Sequence, residues 1–290
     1  MLLAVPNLSE GRDAGLVDRI SDQFAAGADL LDRHSDPVHN RTVLTLTARP
    51  RTLSEALLRG FGACLMTIDM RSHEGAHPCV GALDVCPLVY TSPEGREAAR
   101  EAALAVAGAI AREGVPVFLY GELAGSPERR ERAFFRSGGL AALSERMAAG
   151  ELAPDLGPDR PHPSAGATLI TARPPLAAFN VLVEGIGMEE AQAVAAGLRE
   201  SGGGPPGVRA IAVDLGQAGP QISTNVADPL AVPLAAVVAR IAELAAPMGG
   251  RPAAAEIVGL VPEAALAGFP EEIAIPGFDR SAHLLEAHGG

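Results

Sequence analysis

Apolar positions along the chain follow two periods, and the switches between them outline the elements. Leu16, Val17, Ile20 and Phe24 recur at helical spacing and predict a helix from Ala14 to Ala25. Short apolar runs flank it, Leu2 to Pro6 before and Asp29–Asp32 and Thr42–Thr47 after. All three read as strands, the last two joined by the polar turn His34-Ser35-Asp36-Pro37. A second helix is expected from about Leu53 to Met66. The second half repeats this order with a strand at Ala178–Val183, a helix at Met188–Glu200, strands at Arg209–Asp214 and Gln221–Asn225, and a helix from about Leu230 to Leu244. The breaker Gly202-Gly203-Gly204-Pro205-Pro206 separates the first helix of this half from its next strand.

Strand-helix-strand-strand-helix is the opening of a split βαβ, ferredoxin-like unit. Its double use predicts an α/β (α+β) chain of two ferredoxin-like sandwich subdomains, residues 1–177 and 178–290, with the joint near Pro174-Pro175. Helices on one face of each sheet leave the other faces free to enclose a ligand cleft at that joint. Between the halves, Ser92-Pro93 reads as the start of a helix running to Arg112, followed by a strand at Val115–Tyr120. The arginine-rich run Glu128 to Arg136 is expected to be a solvated helix face, and Ala153 to Gly166, rich in Pro, Gly and Asp, a long loop.

Composition narrows the functions open to such a chain. Hydrophobic residues make up 48% of it, enough for a packed core. The net charge of -12, the 3% aromatic content and the absence of tryptophan argue against a nucleic-acid binder, which needs a basic face and stacking rings. An acidic protein that binds an anion must concentrate arginine locally. Every one of the 23 basic residues is arginine, which removes Schiff-base and phosphate-loop lysine chemistry. No apolar run approaches the roughly 20 residues of a membrane span. The first residues lack a signal-peptide pattern, and the three cysteines fit neither a disulfide framework nor a zinc knuckle, so a cytoplasmic protein with reduced thiols is expected.

The densest polar cluster runs from Asp69 to Pro87 and carries two histidines, three acids, an arginine and two cysteines. His73-Glu74-Gly75-Ala76-His77 formally matches H-E-x-x-H, a motif that binds zinc when a helix sets both histidines on one face. Gly75 inside the motif and Pro78 directly after it disfavour that helix, so no metal is expected. The two histidines read either as ordinary loop residues or as an acid/base group on a rigid loop, since imidazole exchanges protons near neutrality.

Ile68-Asp69-Met70-Arg71, His77-Pro78 and Gly81-Ala82-Leu83-Asp84-Val85-Cys86-Pro87 together resemble the central signature of the formiminotransferase family. The likeness extends to Val5-Pro6-Asn7-Leu8-Ser9-Glu10-Gly11, His39-Asn40-Arg41-Thr42-Val43, Asp155-Leu156-Gly157-Pro158 and, in the second half, Gln221-Ile222-Ser223-Thr224-Asn225. The resemblance implies a monofunctional transferase with both subdomains, moving the formimino group of N-formiminoglutamate to N5 of tetrahydrofolate as co-substrate, and a homodimer. It places the catalytic histidine at His77. It places the folate-binding loop at Gly157, Pro158, Asp159, Arg160, Pro161, His162, Pro163, Ser164, Ala165 and Gly166.

On that reading His77 is a general base, and Arg41, Arg71 and Arg173 are candidates to grip substrate carboxylates, with structural ion pairs as the alternative. Asn40 and Asn180 divide between ligand contact and turn-making. Cys79 stands where the family usually has an arginine, His34 where relatives often carry an acid, and Ala165 where animal relatives have a bulky aromatic. Two other functions stay open: a folate-binding homologue with altered or lost turnover, and a metal-dependent hydrolase using His73 and His77.

Overall fold

Pro6 cannot donate a backbone hydrogen bond, and the first strand of the chain breaks there into β1 (Leu2–Ala4) and β2 (Asn7–Leu8). Both pieces lie between the same two neighbours in a computed structural model, which describes residues 2–288. The chain divides into two compact units, one ending at Pro174 and the other beginning at Pro175.

The first unit continues with α1 (Ala14–Ala25), β3 (Asp29–Asp36), β4 (Arg41–Ala48), α2 (Pro50–Thr67), β5 (Leu83–Val89) and α3 (Arg96–Arg112), then β6 (Val117–Leu119), α4 (Arg132–Arg136), α5 (Gly139–Ala148) and β7 (Thr168–Arg173). The sheet order is β3, β4, then β1 with β2, then β5, β7 and β6. From β3 to β5 the pairing is antiparallel, the split βαβ core expected from the sequence; β7 and β6 extend it in parallel.

Alternation along the strands sorts side chains onto two faces. Cys86, Leu88, Ile170 and Val117 join Phe24, Leu57 and Phe61 in one core under α1, α2 and α3. Val85, Leu169 and Phe118 point the other way, into a second core with Phe135 and Leu143 from α4 and α5. Burial on both faces is why β7 shows no period-2 signal and escapes the sequence reading.

In the second unit, β8 (Ala177–Glu184), α6 (Met188–Leu198), β9 (Val208–Asp214), β10 (Pro220–Val226), α7 (Leu234–Ala245) and β11 (Arg251–Val258) form an antiparallel sheet in the order β11, β8, β10, β9. That is the ferredoxin-like order. The alanine-rich β11 carries little strand propensity and was not anticipated.

Three expectations are corrected. The turn after β3 occupies residues 37–40, not His34 to Pro37, because the Asp36 carboxylate accepts the N–H groups of Val38 at 2.7 Å and His39 at 2.8 Å and closes the turn further along the chain. Helix α7 starts at Leu234 rather than Leu230; Asp228 holds the N–H groups of Leu230 and Ala231 in a separate turn before Pro233. The run from Glu128 to Arg136 is not a solvated face: Phe135 and Arg136 of α4 are buried.

A methyl group at Gly60 would lie 2.2 Å from the Phe24 ring, where α1 crosses α2. Gly60→Ala is expected to lower the free energy of unfolding by about 1–3 kcal/mol through overpacking. Urea denaturation measures it, and an unchanged midpoint would show that the two helices can separate at that point.

Candidate active site

The site grows out of the turn between β3 and β4. Asn40 has a positive φ of 47°, a conformation that asparagine tolerates better than most residues. Its side chain is committed to bracing: Oδ1 accepts from the N–H of Gly11 at 3.0 Å, and Nδ2 donates to the carbonyl of Glu74 at 2.9 Å. Gly75 packs so closely that a Cβ there would stand 2.3 Å from the His39 carbonyl oxygen. The turn is thereby locked to the loop that carries the histidines, and that loop, residues 68–82, forms no helix. The residues of the H-E-x-x-H match therefore lack the one-face geometry the zinc motif needs. Among the described residues no three His, Cys, Asp or Glu side chains gather as a metal cage.

Immediately after the turn, Arg41 opens β4 and places Nη1 2.9 Å from His77 Nε2. A guanidinium has no acceptor, so Nε2 offers its lone pair. The other ring nitrogen, Nδ1, donates to the carbonyl of Pro78 at 2.9 Å. Together the two bonds define a neutral imidazole whose basic nitrogen is Nε2. Burial, then the charges of Arg41 and Arg136, hold its pKa well below the usual 6.5.

His39 stands edge-on to His77, their ring centres 5.8 Å apart. Its Nδ1 is 2.9 Å from Asp36 Oδ2, while its buried Nε2 has no hydrogen-bond partner. Burial alone would raise the Asp36 carboxyl, but the bonds from His39 and Val38 bring it down to about 2.

Asp84 reaches this group through a β-bulge. Asn7 pairs Val85 and Leu8 pairs Leu83, so Asp84 is the extra residue on β5. Its Oδ1 accepts from the N–H of Val80 at 2.8 Å, and its Oδ2 meets Arg136 of α4 in a buried ion pair. Arg132, one turn earlier on α4, lies in the field of Arg136, Asp84 and the buried Tyr120. Burial lowers the pKa of Arg41 and of Arg173 to about 10, and lowers that of Arg132 as well; all stay cationic at neutrality.

The sequence candidates divide accordingly. Arg41, His77 and Arg173 belong to this one charged group, Arg173 joining through Tyr120 and Arg132. Asn40 is its brace. Arg71 turns back onto exposed Asp69, Nε to Oδ1 at 2.9 Å, and no contact links it to Arg41 or His77. Asn180, in the second unit, donates to Glu256 Oε2 at 2.8 Å across β8 and β11.

The loop from Gly157 to Gly166 is exposed at Gly157, Asp159, Arg160 and Pro163 and anchored at its end: Ser164 and Ala165 carbonyls accept from Met70 at 2.7 Å and Ala82 at 2.9 Å. Ala165 turns into the core. The loop is thus fastened to both ends of the segment that presents His77. Cys79 is a neutral thiol, pushed up to about 11 by burial and by Asp84.

Arg132, Arg136, Tyr120 and His39 were missed. Two arginines four residues apart around Phe134-Phe135 carried the signal for the first pair, since a solvated helix face rarely holds consecutive phenylalanines.

Comparisons with known proteins agree with one another. The family profile described as formiminotransferase domain, N-terminal subdomain, matches residues 1–173. The chain is 35% identical over 289 residues to the glutamate formimidoyltransferase of Streptococcus pyogenes serotype M1, covering 98% of this chain and 97% of that protein. It is 35% identical to that of Thermoplasma acidophilum, covering 97% of this chain and 95% of the relative. Identity to the formimidoyltransferase-cyclodeaminase of Sus scrofa is 39% over 276 residues, 90% of this chain and 50% of the relative.

Two measurements check the electrostatics. Between pH 6.5 and the lower folded pKa of His77, the unfolded chain holds a proton that the folded chain refuses. The group therefore weakens the fold as pH falls through that window and has no effect above it. Arg41→Met is expected to move the His77 titration, followed by NMR, up toward the ordinary value; an unmoved titration would exclude Arg41 as a cause. Asp84→Asn leaves the buried Arg136 charge unpaired and is expected to cost about 3–5 kcal/mol in urea denaturation.

Proposed function

The chain belongs to the formiminotransferase family, and on that premise we propose that it transfers the formimino group of N-formiminoglutamate to N5 of tetrahydrofolate, releasing glutamate. The observation that carries this reading is the neutral His77 imidazole, its lone pair at Nε2 held by Arg41 and its Nδ1–H held by Pro78.

Such an imidazole suits a two-way proton transfer. As the formimino carbon forms its bond to N5, His77 takes the N5 proton at Nε2 while Arg41 releases that atom. As the bond from the same carbon to the glutamate nitrogen breaks, His77 gives the proton to that nitrogen. The surroundings that depress its pKa make the protonated ring a strong acid for the second step. Nearby guanidiniums supply charge for the carboxylates of both substrates. The loop from Gly157 to Gly166 is fastened to the His77 segment and has exposed residues free to meet a folate, which supports its assignment to that co-substrate. No helix among the described residues is long and apolar enough to cross a membrane. The free thiols, two of them buried, fit a cytoplasmic protein, and a homodimer belongs to the same proposal.

His77→Ala is expected to fold normally and to lose about 10²–10⁴-fold in turnover. The assay combines N-formiminoglutamate and tetrahydrofolate and converts the product with acid to its strongly absorbing methenyl form. Wild-type protein that binds tetrahydrofolate without producing the signal would favour a folate-binding homologue instead. Near-normal activity in His77→Ala would remove the histidine from its role.

A further inference from the structure

The last turn of the loop from Gly157 to Gly166 closes through two backbone bonds. The N–H of His162 donates to the Gly166 carbonyl at 2.8 Å, and the N–H of Gly166 donates to the His162 carbonyl at 3.0 Å. Residues 163–165 form the tip. Pro163 has no N–H to offer. The two N–H groups that remain converge on one side-chain atom: His162 Nδ1 accepts from Ala165 at 3.1 Å and, over a longer 3.4 Å, from Ser164. A backbone N–H can only donate, so Nδ1 carries a lone pair and the neutral ring keeps its proton on Nε2.

The carbonyls of the tip reach the other way. A trans peptide is a rigid plane with its N–H and C=O on opposite edges, and this chain has no cis peptide bond among the described residues. The N–H that Ala165 gives to His162 therefore fixes the direction of the Ser164 carbonyl, which accepts from Met70 at 2.7 Å. The next carbonyl, of Ala165, accepts from Ala82 at 2.9 Å. Met70 and Ala82 bound the segment that presents His77. One imidazole nitrogen thus sets the peptide through which the loop grips that segment. Ala165 is buried, so its N–H has no water to turn to when the acceptor is lost.

We propose that His162 is a positioning residue for the folate co-substrate: its Nδ1 lone pair holds the peptide between Ser164 and Ala165 in the orientation that sets the end of the loop, and a proton on that nitrogen releases it. The proposal rests on the reading of this loop as the folate loop. When the ring takes a proton from solvent, a donor stands where two N–H groups need an acceptor. Two elements lie beside the turn, the His77 segment and the end of α3, where a Cβ at Gly114 would stand 4.0 Å from the ring. Their charged residues Asp69, Arg71, Arg112 and Glu113, like Asp159 and Arg160 of the loop, lie at the surface, and no ion pair joins any of them to His162. His77 itself is held from elsewhere, by Arg41 and Pro78, so the release falls on the KM for tetrahydrofolate more than on kcat.

The test uses the full chain as wild type, His162→Asn and His162→Leu. Tetrahydrofolate is the probe, in anaerobic calorimetry from about pH 8 to about pH 5, the span of imidazole protonation. Amide hydrogen exchange at Ala165 is followed without ligand. Asparagine places an amide oxygen where Nδ1 stood and does not titrate; leucine keeps the bulk and offers no acceptor. Wild type is expected to lose about tenfold in tetrahydrofolate affinity on acidification, the scale of one hydrogen bond and its stranded donor. His162→Asn, the conservative rescue, should bind like wild type at the alkaline end and lose far less at the acid end. His162→Leu should bind weakly at both and show a raised KM for tetrahydrofolate. His77 titrates in all three proteins, so the difference between wild type and His162→Asn isolates His162. Equal pH dependence in those two would overturn the proposal, and this comparison decides it even if His162→Leu does not fold. Wild-type protein that binds no tetrahydrofolate at either end would remove the folate reading instead. Exchange at Ala165 then judges the brace alone: protection lost in His162→Leu supports it, and protection retained overturns it.

Discussion

One ion pair, Asp84 with Arg136, holds together the parts from which the candidate site is assembled. Asp84 comes from the bulge of β5, Arg136 from α4, and the second carboxylate oxygen fastens Val80 at the end of the His77 loop. Such a pair is a poor source of net stability, because the attraction of the charges is largely offset by the water they give up. Its value is geometric. It allows an arginine helix to lie against an apolar face lined by Val85, Phe118 and Leu169, and so brings the charge of Arg136 to bear on His77. Without a carboxylate at that bulge, α4 would have to carry its charges outward.

Much of the fold was legible because both units use the same split βαβ arrangement, with amphipathic helices and half-buried strands that state their period. What escaped has a physical pattern. Strand β7 is buried on both faces and β11 carries three consecutive alanines at its centre, so neither alternates. The turn before β4 was displaced because Asp36 captures two backbone N–H groups, an interaction that composition does not reveal.

The site was legible where a motif fixed it and opaque where tertiary packing built it. The family resemblance singled out His77, and Arg41 and Arg173 were read as carboxylate candidates; the structure places Arg41 2.9 Å from His77. Arg71 took the ion-pair alternative, with exposed Asp69, and the inward course of Arg136, about 90 residues after Arg41 in sequence, was not foreseen. Charge-rich stretches read as surface because that is their commonest fate. Only the placement of Asp84 decides otherwise for α4.

The absence of lysine acquires a meaning in this setting. Burial lowers Arg41 and Arg173 to about 10, a drop that leaves a guanidinium fully charged at neutrality. An ammonium begins about two units lower, and the same drop would bring it near neutrality, where it sheds its proton for part of the time. An arginine-only lining therefore presents a constant field across the physiological range. Against that constant background His77 is the variable element, so a protonation event there is not blurred by its cationic neighbours changing state alongside it.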